Sequence, residues 1–312
     1  MQNFYPAFSA VLKLVILLVI GYLYGKVTER KEEMTKVLND LVYKILMPVN
    51  MFSSIVKADL RQQFDSGLVL FCLIVTAISI LACCLIVRFF EKDKRVASAM
   101  IQAMYRGNFM LFGFSIIGNF YAGQNIVTAS ILVAIVVPFL NVSSVLLMSY
   151  YNGKDVGFKQ LALSVIKNPL MIAALIAAVL NLFGIMPPEI IMGSCDTLSS
   201  MATPLALIAL GASMKVADIR NNRSRLSLIS LVKLILLPLA ATSVGILAGY
   251  RGLDLFCIMI LFAAPSAISS YSLAQSMGSD GTLAGEAVMI TTVLSSATII
   301  GWICALMALG YV

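Results

Sequence analysis

Long apolar runs alternate with short charged loops along the whole chain. Ten runs can be placed, and each is close to the roughly 20 residues that an α-helix needs to cross the hydrocarbon core of a bilayer. They lie approximately at 5–25, 37–57, 66–88, 96–121, 126–150, 161–184, 189–214, 226–250, 255–278 and 282–310. This pattern predicts an all-α polytopic membrane protein with ten transmembrane helices.

Two of the runs, the fourth and the ninth, carry polar interruptions. Pro265 lies near the centre of the ninth run, where a proline removes a backbone donor and clashes with the preceding turn. The fourth run, within 102–123, is interrupted by Gly107, Asn108 and Gly113. Because every freed backbone group needs a partner in hydrocarbon, we predict that both helices break where protein or a polar cavity surrounds them. The alternative for the ninth run is a kinked helix whose serines bond their own carbonyl groups.

Paired features recur in the two halves of the chain. Pro48 in the second run and Pro204 in the seventh are 156 residues apart, and the two interruptions have nearly the same separation. Each half would hold five spans, an odd number, so the second half enters the membrane with the opposite orientation. We therefore predict two inverted five-helix repeats, over 1–155 and 156–312, with helices four and nine broken and crossing, as in many secondary transporters.

Composition excludes several classes of protein. Apolar residues make up 60% of the chain and charged residues 12%, against the roughly 25% charged that is typical of soluble domains. The net charge of +7 does not indicate nucleic-acid binding, because the basic residues cluster in short loops. The chain contains no histidine, no P-loop and no nucleophile elbow, and its six cysteines match no metal motif. We therefore expect neither an enzyme nor a metal site.

The basic loop residues are divided unequally between alternate loops. The odd-numbered loops hold fourteen of them, and the even-numbered loops hold only Lys57, Arg61 and Arg251. The positive-inside rule places the odd loops in the cytoplasm. We therefore expect a multi-pass protein of the cell (plasma or inner) membrane with both termini extracytoplasmic.

The two interrupted helices, if they cross at mid-depth, bring four half-helix ends together near the bilayer centre. The N-terminal ends carry partial positive charge and free N–H groups, which suit an anion and above all a carboxylate. The C-terminal ends offer carbonyl groups that could hold a cation. The side chains expected to add hydrogen bonds are Asn108, Ser266, Ser269 and Ser270. The alternative is a pair of packed, kinked helices.

Few ionisable residues lie inside the predicted spans, and each is costly enough to need a reason. Asp40 and Lys44 share a helix face and could pair, as a structural or a proton-linked element. Arg106 is either a counter-charge for an anionic substrate or an anchor at the cytoplasmic mouth. Glu286 is a proton or cation site, or a glutamate favoured locally at a helix N-terminus. Lys233 could snorkel to the interface, and Asn50, Asn141 and Asn168 could serve as polar glue between helices.

Several short motifs follow one another along most of the chain. They are LNDLVYKILMPVNMF at 38–52, RGN followed by FGF at 106–114, KNPLMIA at 167–173, TPLALIALGASM at 203–214, KLILLP at 233–238, AAPSAISSYSLAQSMGSD at 263–280 and TTVLSS at 291–296. In order and spacing together, they resemble the auxin efflux carrier family, the bacterial relatives of the plant PIN carriers, which include malate and malonate permeases. The resemblance implies ten helices in two inverted repeats and a crossover site framed by a scaffold domain and a transport domain.

The resemblance also implies particular site residues. On the fourth helix they are Asn108, Gly113 and Ser115, and on the ninth they are Pro265, Ser266 and Ser269, with Gln275 further along. Family members usually have a proline in the fourth helix where this chain has Gly113-Phe114-Ser115, so the first break must rely on glycine. The more distant sodium–bile acid symporters share the general plan. This likeness leaves sodium-coupled transport as an alternative. The candidate sodium ligands are then Gln275 and carbonyl groups near the ninth break.

The sequence therefore predicts a secondary active transporter of small organic anions, such as mono- or dicarboxylates or auxin-like acids. It would work by alternating access at a mid-membrane crossover site. Its expected partners are the anionic substrate and the lipid bilayer; a homodimer is left open, and no cofactor is expected beyond a coupling Na⁺ or H⁺. The alternatives are a sodium-coupled symporter of the bile acid transporter type, a channel, or a membrane protein that transports nothing.

Overall fold

The computed structural model describes residues 16–57 except 18, 65–113, 116–117, 120–121, 127–152, 169–213 and 220–312. Helices, numbered in chain order over these residues, are α1 (19–27), α2 (Lys31–Leu41, Val42–Leu46 and Met47–Val56), α3 (Ser66–Phe90), α4a (Lys94–Tyr105), α4b (beginning with Phe109–Gly113), α5 (Val127–Tyr151), α6 (Pro169–Phe183), α7 (Glu189–Ser213), α8 (Arg223–Leu231, Val232–Leu236 and Leu237–Leu247), α9a (Gly252–Ala263), α9b (Ser269–Met277) and α10 (Gly281–Ala308). The described part of the chain has no β-strand, only one isolated β-bridge.

Four of the described helices are long and apolar enough to cross a membrane. They cover Ser66–Phe90, Ile131–Tyr151, Arg223–Leu247 and Gly281–Ala308. On α3 the large exposed side chains recur every three or four residues, at Leu70, Ile74, Ile78, Leu81 and Leu85. Such spacing places them on one face, as expected for contact with lipid. The protein is therefore a helical multi-pass membrane protein, while ten spans in two inverted repeats stay a prediction.

Both α2 and α8 contain a wide π-helical turn just before a proline. The turn Val42–Leu46 precedes Pro48, and the turn Val232–Leu236 precedes Pro238. A proline lacks the amide hydrogen that would bond four residues back and crowds that carbonyl group. In α8 the carbonyl oxygen of Leu234 instead accepts a hydrogen bond from the indole N–H of Trp302 at 3.0 Å. The two turns carry Lys44 and Lys233, whose surroundings differ completely.

The described helices pack as two groups. The larger group is built around α4a and α9a, whose side chains are buried without a break over 96–105 and 255–263. The stretch 255–263 of α9a is apolar on all sides, as expected of a helix in the interior. Helices α3, α5, α8 and α10 contribute to the same core. The smaller group joins α2 to α6 and α7, with α1 lying close against α7 through Gly21 and Gly25. The candidate site lies where the two groups meet.

Candidate substrate site at the paired helix interruptions

Helix α9 is interrupted between Ala263 and Ser269. Ala264 turns out of the helix with φ −55° and ψ 140°, the extended conformation that a following proline favours. Two amide groups that would have continued the helix find other partners. The Ser266 N–H donates to Thr291 Oγ1 at 3.1 Å, and the Ala267 N–H donates to the carbonyl oxygen of Arg106 at 2.9 Å.

Helix α4 is interrupted between Tyr105 and Phe109, beside the break in α9. Gly107 pairs with Ser266 in an antiparallel bridge. The Asn108 N–H donates to the carbonyl oxygen of Pro265 at 2.7 Å, and the bond from Ala267 to Arg106 lies on the other side. Each break therefore supplies hydrogen-bond partners for the other, as a dry environment requires.

Glycine at position 107 permits this close approach. A Cβ atom there would lie 2.9 Å from Lys233 Nζ and 3.1 Å from the carbonyl oxygen of Leu261. Gly107 and Asn108 thus lie in the break, as predicted. Gly113 does not, since it ends the π-helical turn Phe109–Gly113 and packs against Phe109. The described break lies at Arg106–Asn108, where the strand-like pairing forms. A break at Gly113–Ser115 stays a prediction, because residues 114–115 lie outside the described part of the chain.

A cavity of about 60 Å³ lies beside the bridge. By the same measure, a cavity needs roughly 10–15 Å³ to hold one water molecule, so this one has room for more than a single water. Residues of both helix groups line it: Met47, Asn50, Met51, Arg106, Gly107, Asn108, Val137, Leu140, Asn141, Ala202, Ala267, Ile268 and Ser269. Ser269 is the first residue of α9b, so a helix N-terminus with its partial positive charge borders the cavity.

Arg106 dominates the electrostatics of this cavity. Its side chain is buried, with the residue only 3% exposed, and its Nη2 donates to Asn141 Oδ1. Its Nη1 is buried and has no hydrogen-bond partner among the described residues, none of whose carboxylates pairs with it. A guanidinium stays charged in proteins, and a buried charge without a counter-charge is costly. An anion in the cavity would remove that cost.

Two asparagines contribute polar atoms that the sequence did not assign to a binding site. Asn50 of α2 donates to the carbonyl oxygen of Ser199 at 3.1 Å, while its Oδ1 is buried without a partner in the described part of the chain. Asn141 of α5 accepts from Arg106 and lies against Met51. The sequence predicts both as polar contacts between helices, and both do connect helices. Only the fold reveals that they also line the cavity.

The predicted substrate contacts divide into three groups. Asn108 and Ser269 line the cavity, as does Arg106. Pro265 and Ser266 form the bridge instead, and the Ser266 hydroxyl donates to the carbonyl oxygen of Ala103 at 2.6 Å. Ser270 is buried next to Ser269 but does not line the cavity, and Ser115 lies outside the described residues.

Of the residues proposed for ion coupling, Arg106 lines the cavity, and the other four do not: Asp40, Lys44, Gln275 and Glu286. Asp40 and Lys44 form an ion pair at 2.7 Å, with side chains 58% and 62% exposed. The Gln275 Oε1 accepts from Asn39 of α2 at 3.1 Å, and its Nε2 donates to the Tyr271 hydroxyl, so Gln275 connects α2 to α9b.

Glu286 is buried near the start of α10. Its Oε2 accepts from Asn222 at 2.8 Å, and Asn222 in turn accepts from Arg225, which pairs with Glu91 at 2.7 Å. This chain of contacts joins the adjoining ends of α3, α8 and α10. The described contacts of Glu286 therefore indicate a structural role, in which its side chain helps to connect these helices.

Paired interruptions in two buried helices, with a cavity beside them that a buried arginine and several amide groups line, are the architecture of a membrane transporter. Comparison with known proteins gives the same class. Residues 6–303 match the sequence model of the family described as membrane transport protein. The chain belongs to this family, which is the auxin efflux carrier family that its motifs resemble.

Curated relatives cover nearly the whole chain at low identity. An uncharacterized transporter of Methanothermobacter thermautotrophicus is 26% identical over 94% of this chain and 96% of its own length. The uncharacterized transporter YfdV of Escherichia coli K12 is 24% identical over 85% of this chain and 86% of its own. A putative malonate transporter of Rhizobium meliloti is 22% identical over 91% of each.

Proposed function

We propose that this protein is a secondary active transporter of small organic anions, with mono- and dicarboxylates as its substrate class. The observation that carries the proposal is the buried Arg106, which lines the cavity at the paired interruptions with one nitrogen unbonded among the described groups. A carboxylate matches the geometry of a guanidinium and forms charge-assisted hydrogen bonds with it. The name of the relative from Rhizobium meliloti supports a dicarboxylate such as malonate.

The other groups around the cavity would hold the same substrate. Asn108 and Asn50 supply amide groups, and Ser269 supplies a hydroxyl at the positive end of α9b. The small volume and the apolar lining from Met47, Val137 and Leu140 favour a short organic anion over a bulky one.

Transport would proceed by relative movement of the two helix groups. The cavity is lined by α2 and α7 on one side and by α4, α5 and α9 on the other. Sliding or rocking of the larger group against the smaller one would open the cavity first to one side of the membrane and then to the other. The contacts of Gln275 with Asn39 cross this interface and would break and re-form during the cycle. We propose the cell membrane as the location, with both termini extracytoplasmic.

Counterflow in proteoliposomes tests this function. Purified protein is reconstituted, the vesicles are loaded with unlabelled malonate, and entry of labelled malonate is followed. A carrier gives transient accumulation of label above equilibrium, because outward movement of unlabelled substrate drives inward exchange. Entry that only approaches equilibrium would indicate a channel, and absence of malonate, acetate and succinate entry would contradict the proposed substrate class.

A further inference from the structure

Lys233 is buried in the centre of the larger helix group, in the π-helical turn of α8. Its residue exposure is 0%, and its Nζ donates to the carbonyl oxygen of Phe262 at 3.0 Å. It therefore does not snorkel to the interface, so that prediction is wrong. The side chain points inward because its acceptor is the last turn of α9a, directly before the break.

The break in α9 frees the carbonyl groups at this point. The oxygen of Leu261 loses its usual donor because Pro265 has no amide hydrogen. The oxygen of Phe262 loses the amide of Ser266, which donates to Thr291 instead. The end of α9a therefore presents carbonyl oxygens at the negative pole of a helix, a setting that favours a cation.

Lys233 also contacts the break in α4. The position of a Cβ atom on Gly107 would be only 2.9 Å from its Nζ, so the ammonium group lies between the two interruptions. No described carboxylate forms an ion pair with it, and the titratable side chain that interacts with it is the thiol of Cys83. The amino group is thus held by a backbone oxygen at the junction of the two interruptions.

We propose that the ammonium group of Lys233 is a tethered cation at the carbonyl end of α9a, and that it takes the place of a coupling alkali cation. Transport by this protein then needs no sodium at the ninth break, although sodium coupling through those carbonyl groups is what the bile acid symporter plan would suggest. The transport part of this inference rests on the proposed function. The cation-binding part does not, since it concerns only the end of α9a.

Two variants of Lys233 and one control variant test the proposal. Lys233→Met fills the same volume without charge, Lys233→Ala empties it, and Lys44→Met removes the exposed lysine of the corresponding turn in α2. Melting temperatures of the purified proteins are measured in sodium chloride and in N-methylglucamine chloride at equal ionic strength. We expect Lys233→Ala to melt several degrees higher in sodium, and we expect the wild type, Lys233→Met and Lys44→Met to show no difference between the salts.

Malonate uptake by the same proteins is then compared in the two salts. Wild type and Lys44→Met should transport equally within about twofold in both salts. Lys233→Met should lose at least about tenfold at a temperature well below its own melting temperature, because methionine offers no cation to the carbonyl oxygens of α9a. Sodium-dependent uptake by wild type, full uptake by Lys233→Met, or a Lys233→Ala protein that ignores sodium would each overturn the proposal. If wild type moves no carboxylate, the proposed function fails, and the melting temperatures of Lys233→Ala alone decide the cation site.

Discussion

The interruptions of α4 and α9 reach matching backbone conformations by different means. In α9, Pro265 removes one amide donor, and Thr291 and the carbonyl group of Arg106 capture the next two amides. In α4 no proline is present, and the break depends on the absence of a side chain at Gly107. The two breaks share the backbone hydrogen bonds that join them. The α9 break has in addition the bond to Thr291 and a proline, whereas the α4 break has in addition a steric requirement at Gly107, so we expect the two to respond differently to substitution.

Gly107→Ala should have the larger effect of the two. Its Cβ would press on Lys233 Nζ and on the backbone oxygen of Leu261, and overpacking a dense interior costs about 1–3 kcal/mol. We expect a lower melting temperature and a loss of malonate uptake of about tenfold, the equivalent of roughly 1.4 kcal/mol in rate. Uptake in proteoliposomes and thermal unfolding of the purified variant measure both effects.

Gly193→Ala is the matched control for that substitution. Gly193 lies in α7, where an added Cβ would meet no heavy atom within 4 Å. Alanine is favoured over glycine in a helix by about 0.5–1 kcal/mol, so this variant should be as stable as wild type or slightly more stable. Equal losses in the two variants would mean that the contacts of Gly107 are not what limits substitution there.

Pro265→Ala should have the smaller effect. The amides of Ser266 and Ala267 keep their acceptors outside the helix, so the break should survive without the proline. Loss of the proline should lower the free energy of unfolding by about 0.4–1 kcal/mol, mainly because the unfolded chain gains conformational entropy. We expect uptake to fall less than threefold, and a loss as large as that of Gly107→Ala would show that Pro265 itself maintains the break.

The interruptions could be predicted because their causes are local. Proline and glycine limit or free the backbone wherever they occur, and a polar residue such as Asn108 inside an apolar run is conspicuous. The sequence does not distinguish Gly107 from Gly113, since both interrupt the same apolar run. The antiparallel pairing of Gly107 with Ser266 shows which glycine lies in the described break.

Burial and direction of side chains could not be predicted for the charged residues. From the sequence, Arg106 is either an anchor at the cytoplasmic mouth or a counter-charge for an anionic substrate, since both roles are compatible with the end of a half-helix. Lys44 and Lys233 occupy similar turns before a proline, yet one is exposed in an ion pair and the other is fully buried. That difference depends on whether a neighbouring helix end covers the turn, which is decided by tertiary packing.

Binding of malonate to wild type and to Arg106→Gln tests the central claim most directly. Isothermal titration on purified protein gives both affinities, and the melting temperature of the variant confirms that it is folded. Truncating one side of a buried charged contact typically costs 2–5 kcal/mol, so affinity should fall by about 30-fold or more. The neutral analogue malonamide should bind neither protein. Malonate affinity that is unchanged in Arg106→Gln would contradict a carboxylate site at the paired interruptions.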